Sequence, residues 1–173
     1  MKNNIISENI RVRVPEFFKI GEHSIIDDFS YFSTKIKVGK YSHIGNNVSI
    51  AGGASFQFTL GDYSSISSGV RVWCASDNFY SGIASFLSDD LLFDDRISGD
   101  VWISDLTIIG TNSVIMPNNT LPIGVALGAL SFVPYNFNFE PWMLYAGIPI
   151  KPIRKRDEKR ILGKYHQMKN YEK

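Results

Sequence analysis

Between Val101 and Val133 an aliphatic residue recurs at every sixth position: Ile103, Ile109, Ile115, Leu121, Leu127 and Val133. Four residues after these steps stand Thr107, Ser113, Asn119, Val125 and Ser131, all small or short-branched. A six-residue period matches neither the 3.6-residue helical repeat nor the two-residue alternation of a freestanding strand. It matches a solenoid in which each turn holds three short strands, each sending one aliphatic side chain inward. The same register opens at Ile20 and runs through Ile26, Phe32, Val38, Ile44 and Ile50. Ser24, Ser30, Ser42, Val48 and Ala54 fill its small position, with Ile36 as the exception. The frame jumps by four residues around Gly52-Gly53-Ala54-Ser55 and resumes at Leu60, Ile66 and Val72, where Ser64, Val70 and Ser76 are small.

Three hexads per turn give five turns: Ile20/Ile26/Phe32, Val38/Ile44/Ile50, Leu60/Ile66/Val72, Ile103/Ile109/Ile115 and Leu121/Leu127/Val133. At about 4.8 Å between strands the prism is about 24 Å tall. The insertion at Gly52–Ser55 and the interval Asp77–Gly99 leave the same edge on successive turns. Gly21, Gly39 and Gly45 follow repeat positions directly, where the backbone turns or is closely approached. The reading is an all-β parallel β-helix at residues 20–137 with a loop at 78–100, expected to be structureless and functional. Residues 1–19 form an N-terminal cap, in which Ile10, Val12 and Val14 alternate with Arg11 and Arg13 as an edge strand. Residues 138–173 form a C-terminal segment whose charged end, 157–173, is a helical cap or tail.

Composition narrows the function. With 44% hydrophobic and 20% charged residues and a net charge of +1, the chain lacks an overall nucleic-acid footprint. Cys74 is the one cysteine, so an internal disulfide and a Cys-rich zinc site are excluded. Nothing resembles an apolar membrane span or a signal h-region, so the expected location is the cytoplasm, with no membrane partner.

The run VWISDLTIIGTNSVIMPNNTLPIGVALGALSFV and the ending A-G-I-P-I-K-P-I-R, residues 146–154, resemble the left-handed parallel β-helix acyltransferases of the hexapeptide-repeat family, in their sugar acetyltransferase branch. The resemblance implies a left-handed prism, acetyl-CoA as acyl donor, and a homotrimer with active sites between subunits. It places cofactor contacts on Gly110 and Thr111, on Gly128, Ala129 and Ser131, and on Lys151 and Arg154, the last two meeting phosphate. Pro134-Tyr135 stands where many members have a Thr-Lys pair. After Val72-Trp73-Cys74-Ala75-Ser76, where many members carry a histidine, this chain has Asp77. The stretch S-D-N-F-Y-S-G at 76–82, with His43 in an upstream H-I-G, resembles a subgroup of such acyltransferases.

The catalytic candidates are therefore His43 and Asp77, with Asn78 and Tyr80 beside the substrate. As alternatives, His43 is an exposed corner residue and Asp77 an Asx cap of its loop. A further possibility is that Asp77 of one subunit meets His43 of a neighbour. A hydroxyl acceptor needs its proton removed in the transition state, whereas a neutral amine is already nucleophilic. The missing loop histidine thus favours N-acetylation of a nucleotide-linked amino sugar for surface polysaccharide (O-antigen, capsule or lipopolysaccharide) over O-acetylation of a sugar hydroxyl. The alternative of another class is a non-catalytic binding or scaffold β-helix. No metal is expected: His23, His43 and His166 fall at unrelated repeat positions, against a γ-carbonic-anhydrase type site. The pairs Asp89-Asp90 and Asp94-Asp95 match no calcium loop. Tyr80, Phe86, Trp102 and Trp142 are candidates for stacking on a sugar or base, with packing against the adjacent coil the favoured alternative for each; Cys74 is a packing residue, and the basic run Lys151, Arg154, Lys155, Arg156, Lys159, Arg160 suits phosphate or solvent.

Overall fold

The hexad register becomes three parallel columns of strands. A computed structural model describes residues 3–87, 92–93 and 95–171. On the first face Ile26 pairs with Ile44, Ile44 with Ile66, Ile66 with Ile109, and Ile109 with Leu127. The second face stacks Phe32, Ile50, Val72, Ile115 and Val133 in the same way. The third stacks Ile20, Val38, Leu60, Ile103 and Leu121. All five turns thus close in the register read from the sequence. From Ile26 to Val133 these inward side chains are at most 3% exposed, and their burial supplies the main driving force.

The small position has a hydrogen-bonding cause. At the corner between the third and first faces, Ser64 Oγ accepts the Thr107 N–H at 3.1 Å and donates to the Ser104 carbonyl at 3.0 Å. Ser42 Oγ does the same for the Ser64 N–H (3.1 Å) and the Gly61 carbonyl (2.7 Å). Each buried hydroxyl therefore satisfies a donor and an acceptor of the next coil, which a buried turn must do. Corners also require left-handed backbone, and several non-glycine residues adopt it, among them His23, Tyr41, Tyr63 and Trp142 on the third-to-first edge. Three of these rings offset this strain by stacking: His23 on Tyr41 at 4.8 Å and Tyr41 on Tyr63 at 4.9 Å. Gly39 is needed for close approach: a Cβ there would lie 2.6 Å from the Gly61 carbonyl carbon.

Three expectations change. Ala54 and Ser76 do not occupy the small position; Ala54 is exposed and Ser76 half-buried. The insertions widen the second-to-third edge, so Ile36, Phe58 and Val101 stack in that space and Asn119 closes the column above them. The long loop is not structureless, because Ala75–Asp77 pairs antiparallel with Arg96–Ser98 and Phe86–Leu87 with Leu92–Phe93. The hexads also extend past Ile20 and Val133: Ile6 pairs with Ile26, Val12 with Phe32, and Tyr145 with Leu127. A 3₁₀ turn, Pro15–Phe17, lengthens the step between Val12 and Ile20. At the far end the antiparallel strands Met143–Gly147 and Ile150–Lys155 lead into α1 (Glu158–Tyr171). Tyr165 of α1 meets Tyr63 edge-on at 5.1 Å.

Two outcomes follow from this packing. Ser64→Ala strands a buried N–H and a carbonyl and should lower the urea-unfolding free energy by about 1–3 kcal/mol. Cys74 is fully buried, and burial pushes its thiol up to about 12. Iodoacetamide should leave it unlabelled at about pH 8 in the native protein and label it in urea. The unfolded thiol ionises near pH 8.5, so above that pH the unfolded chain holds fewer protons than the folded one. The thiol's contribution to stability is complete below about pH 8.5 and declines as pH rises towards 12, a decline that Cys74→Val should remove in urea titrations.

Candidate active site

Each coil turns from the first face to the second through the residue after the inward aliphatic: Asp27, Gly45, Ser67, Gly110, Gly128 and Ala146. This first edge is continuous. Asp27 N–H donates to the Ile44 carbonyl at 2.9 Å, Gly45 to Ile66 at 2.8 Å, Ser67 to Ile109 at 2.9 Å, Gly110 to Leu127 at 2.9 Å and Gly128 to Tyr145 at 2.8 Å. The ladder therefore uses the N–H groups of Gly110 and Gly128. The next N–H along, of Thr111 and of Ala129, takes no backbone carbonyl among the described residues, and both residues are exposed. A Cβ on Gly128 would stand 3.0 Å from the Ala146 Cβ, so this part of the edge is a shallow, side-chain-poor strip. Ser131 is buried, and its hydroxyl donates to the Gly128 carbonyl at 2.7 Å; its part is to hold the strip in shape. Lys151 pairs with Ala146 at the top of the edge, Arg154 pairs with Leu144, and both side chains are exposed. The strip, its free amides and these two cations fit a long, polar, phosphorylated thiol ester such as acyl-CoA. Arg156 is different: its guanidinium donates to the Leu106 carbonyl at 2.9 Å and the Gly124 carbonyl at 2.7 Å and ties the last hairpin to the coils. Tyr135, at the departure after Val133, is partly exposed and lies 3.5 Å from the Asn118 amide nitrogen.

His43 stands one residue before Ile44 on the first face, half-exposed, and its Nε2 lies 2.7 Å from Asp27 Oδ2. With Nε2–H donating to the carboxylate, Nδ1 carries the lone pair and the ring is held in one orientation. The partner is thus an aspartate of the same chain, one coil below. The signal was in the repeat: Ile26 and Ile44 share a column, so the residue after one lies beside the residue before the other. His43 and Asp77 are not brought together within the chain, since Asp77 stands at the foot of the loop on the second-to-third edge, where its Oδ1 accepts the Ser85 N–H at 3.3 Å. Asn78 Oδ1 accepts the N–H groups of Tyr80 (3.1 Å) and Ser81 (3.3 Å), an Asx turn that shapes the loop tip. Tyr80 is 98% exposed.

Among the described residues no group of three or more His, Cys, Asp or Glu is placed to hold a metal. His23 stacks on Tyr41, and His166 lies on α1 beside Tyr165. Asp89, Asp90 and Asp94 lie outside the described residues. No described helix is long and apolar enough to cross a membrane.

Comparison with protein-family models returns no match. A dTDP-4-amino-4,6-dideoxy-D-glucose acyltransferase of Escherichia coli is 34% identical over 166 residues, covering 89% of this chain and 83% of the relative. The solved structure of AntD, an N-acyltransferase from Bacillus cereus in complex with dTDP and 3-hydroxybutyryl-CoA, superposes with a TM-score of 0.84 at 30% identity, covering 99% of this chain and 90% of AntD. A hexapeptide-repeat acetyltransferase from Vibrio cholerae shares the fold at 22% identity and a TM-score of 0.66, over 83% of this chain and 77% of its own. The coil register, the glycine-lined edge and these likenesses converge: the chain belongs to the left-handed β-helix, hexapeptide-repeat acyltransferases, in the branch that acylates sugars.

Proposed function

We propose that the protein transfers an acyl group, acetyl in the simplest case, from acyl-CoA to the amine of a nucleotide-linked amino sugar. The observation that carries this reading is the first edge, which runs without interruption from Lys151 and Ala146 past the free amides of Ala129 and Thr111 to Ser67 and the His43–Asp27 pair. The E. coli relative is named for a dTDP-linked amino sugar, and AntD has been solved with dTDP-4-amino-4,6-dideoxyglucose and coenzyme A. That class of substrate is the one we assign to this chain. AntD variants have been solved in which a serine, and an aspartate ten residues further along, are replaced. Ser67 and Asp77 have the same spacing here, which supports a role for both.

CoA would supply an activated thioester. The amine nitrogen forms a bond to the acyl carbon, the carbon–sulfur bond breaks, and the nitrogen loses a proton. His43 Nδ1 accepts that proton, and Asp27 stabilises the resulting imidazolium. The Thr111 and Ala129 N–H groups, two and three coils above His43, hold the body of the acyl donor so that its thioester end points towards the His43–Asp27 pair. Lys151 and Arg154 hold phosphate charge, while Gly110, Gly128 and Ser131 keep the strip narrow. Asp77 attracts the cationic amino sugar, with Asn78 and Tyr80 beside it. The assembly we assign is a homotrimer, in which the loop of one subunit walls the edge of the next, acting in the cytoplasm in the biosynthesis of surface polysaccharide. Catalysis by positioned residues is favoured over a non-catalytic scaffold by the His43–Asp27 geometry, and an amine over a hydroxyl acceptor by the relatives' substrates.

The test is release of CoA thiol from acetyl-CoA in the presence of dTDP-linked amino sugars. The wild type should turn over, and His43→Ala should lower kcat by about 100-fold or more. Asp77→Asn should act mainly on the KM of the amino sugar. No turnover with any amino sugar nucleotide, together with no thermal protection by acetyl-CoA, would refute the reading. Full activity of a His43→Ala, Asp77→Ala double variant would refute the assigned roles. Light scattering should return three times the 19.5 kDa chain mass.

A further inference from the structure

Both members of the His43–Asp27 pair are half-exposed, and water competes for such a contact unless the backbone holds its two sides in place. His43 lies in the strand His43–Ile44, which is paired with a neighbouring coil on either side. Asp27 instead begins a corner, Asp27-Asp28-Phe29, that closes on Phe29 in the left-handed region at φ 59°. A non-glycine residue persists there only where its surroundings determine the conformation. The Phe29 ring is 66% exposed, so burial of that ring supplies little of the determination.

The corner is held from the coil below. Asn9 Nδ2 donates to Asp28 Oδ1 at 3.1 Å, the Ser7 hydroxyl donates to the same oxygen, and the Asn9 N–H donates to Ser7 Oγ at 3.0 Å. The backbone repeats the attachment: the Ser7 N–H donates to the Ile26 carbonyl at 2.9 Å and the Phe29 N–H to the Asn9 carbonyl at 3.1 Å. From above, the Asn47 N–H donates to the Asp28 carbonyl at 3.0 Å. The Ser7 hydroxyl, and after it Asn9, holds the Asp28 carboxyl below the usual carboxylate range, so these are charge-assisted bonds at neutral pH. On the higher coils of the first edge the equivalent residues are Asn46, Ser68, Thr111 and Ala129. Among the described residues no side-chain hydrogen bond ties any of them to the coil beneath. The clamp thus stands at the corner that carries the partner of His43.

We propose that Ser7, Asn9 and Asp28 are positioning residues for the proton acceptor: their network fixes the Asp27 corner and so keeps its carboxylate on His43 Nε2. All three act through Asp27. The inference rests on the roles of His43 and Asp27 proposed above. It makes the N-terminal segment, read from the sequence as a cap, a part of the site's machinery.

Proton–nitrogen NMR of the protein labelled at its histidines tests this, together with turnover of acetyl-CoA and a dTDP-linked amino sugar. In the wild type the hydrogen-bonded Nε2–H of His43 should give a resolved signal, assigned by its loss in His43→Ala. Asp28→Ala should abolish that signal and lower kcat by about tenfold, with the KM of acetyl-CoA within about twofold of wild type. A Ser7→Ala, Asn9→Ala double variant should do the same. Asp28→Asn keeps an Oδ1 acceptor and should retain both signal and rate. The Asp28 side chain is exposed, so neither substitution at this position empties the core. An intact signal and rate in Asp28→Ala would overturn the proposal, as would the absence of the signal from the wild type. Asp28→Asn as defective as Asp28→Ala would also overturn it, by assigning the effect to charge and not to the clamp. A signal lost in Asp28→Ala and kept in Asp28→Asn would sustain the clamp even if no acyl transfer were found, so this inference and the acyltransferase reading fail separately.

Discussion

The structure depends on one constraint: every coil must hand its backbone hydrogen bonds to the next at each corner, as well as along each strand. Along the first edge the N–H of every corner residue from Asp27 to Gly128 is taken by the coil above. On the third-to-first edge, where strand pairing stops, buried serine hydroxyls complete the exchange. A six-residue step follows, because the inward aliphatic, the small bridging residue and the left-handed corner recur together. Hydrophobic stacking supplies most of the free energy, and the corner hydrogen bonds set the register in which it is gained.

The same constraint makes the edges unequal in chemistry. The third-to-first edge carries a column of stacked rings, which α1 meets edge-on at Tyr63. The second-to-third edge is where the chain escapes into its insertions and places Asp77. The first edge is poor in side chains over its upper coils and carries a hydrogen-bonded histidine below them. A rigid ladder thus presents donor amides and a proton acceptor along one line, which suits a reaction governed by the positioning of two substrates.

Much of the fold was legible in the sequence because the side chains that specify it repeat. The five turns could be read from Ile20 to Val133 with no correction to their inward residues. What escaped notice lay where the period bends. The eight residues from Val12 to Ile20 hide the fact that Ile6 and Val12 belong to the same columns. Ile36 looked anomalous only because the insertion that makes room for it is remote in sequence. Left-handed corners filled by Tyr41, Tyr63 and Trp142 are illegible one residue at a time, since bulky residues seldom adopt that backbone. In the candidate site, the family signature pointed to Gly110, Gly128 and Lys151, and they do share one edge. It was silent on Asp27, which meets His43 through coil geometry and not through a motif.

The central claim is that the first edge seats the acyl donor directly above the His43–Asp27 pair. Amide hydrogen exchange measured residue by residue, with and without CoA, tests it most directly, because the Thr111 and Ala129 N–H groups take no backbone carbonyl among the described residues. The expected result is new protection at Thr111 and Ala129 with CoA, and no change at His23, Tyr41 or Tyr63 on the ring-stacked edge. Protection confined to that edge, or unchanged exchange at both amides under saturating CoA, would contradict it.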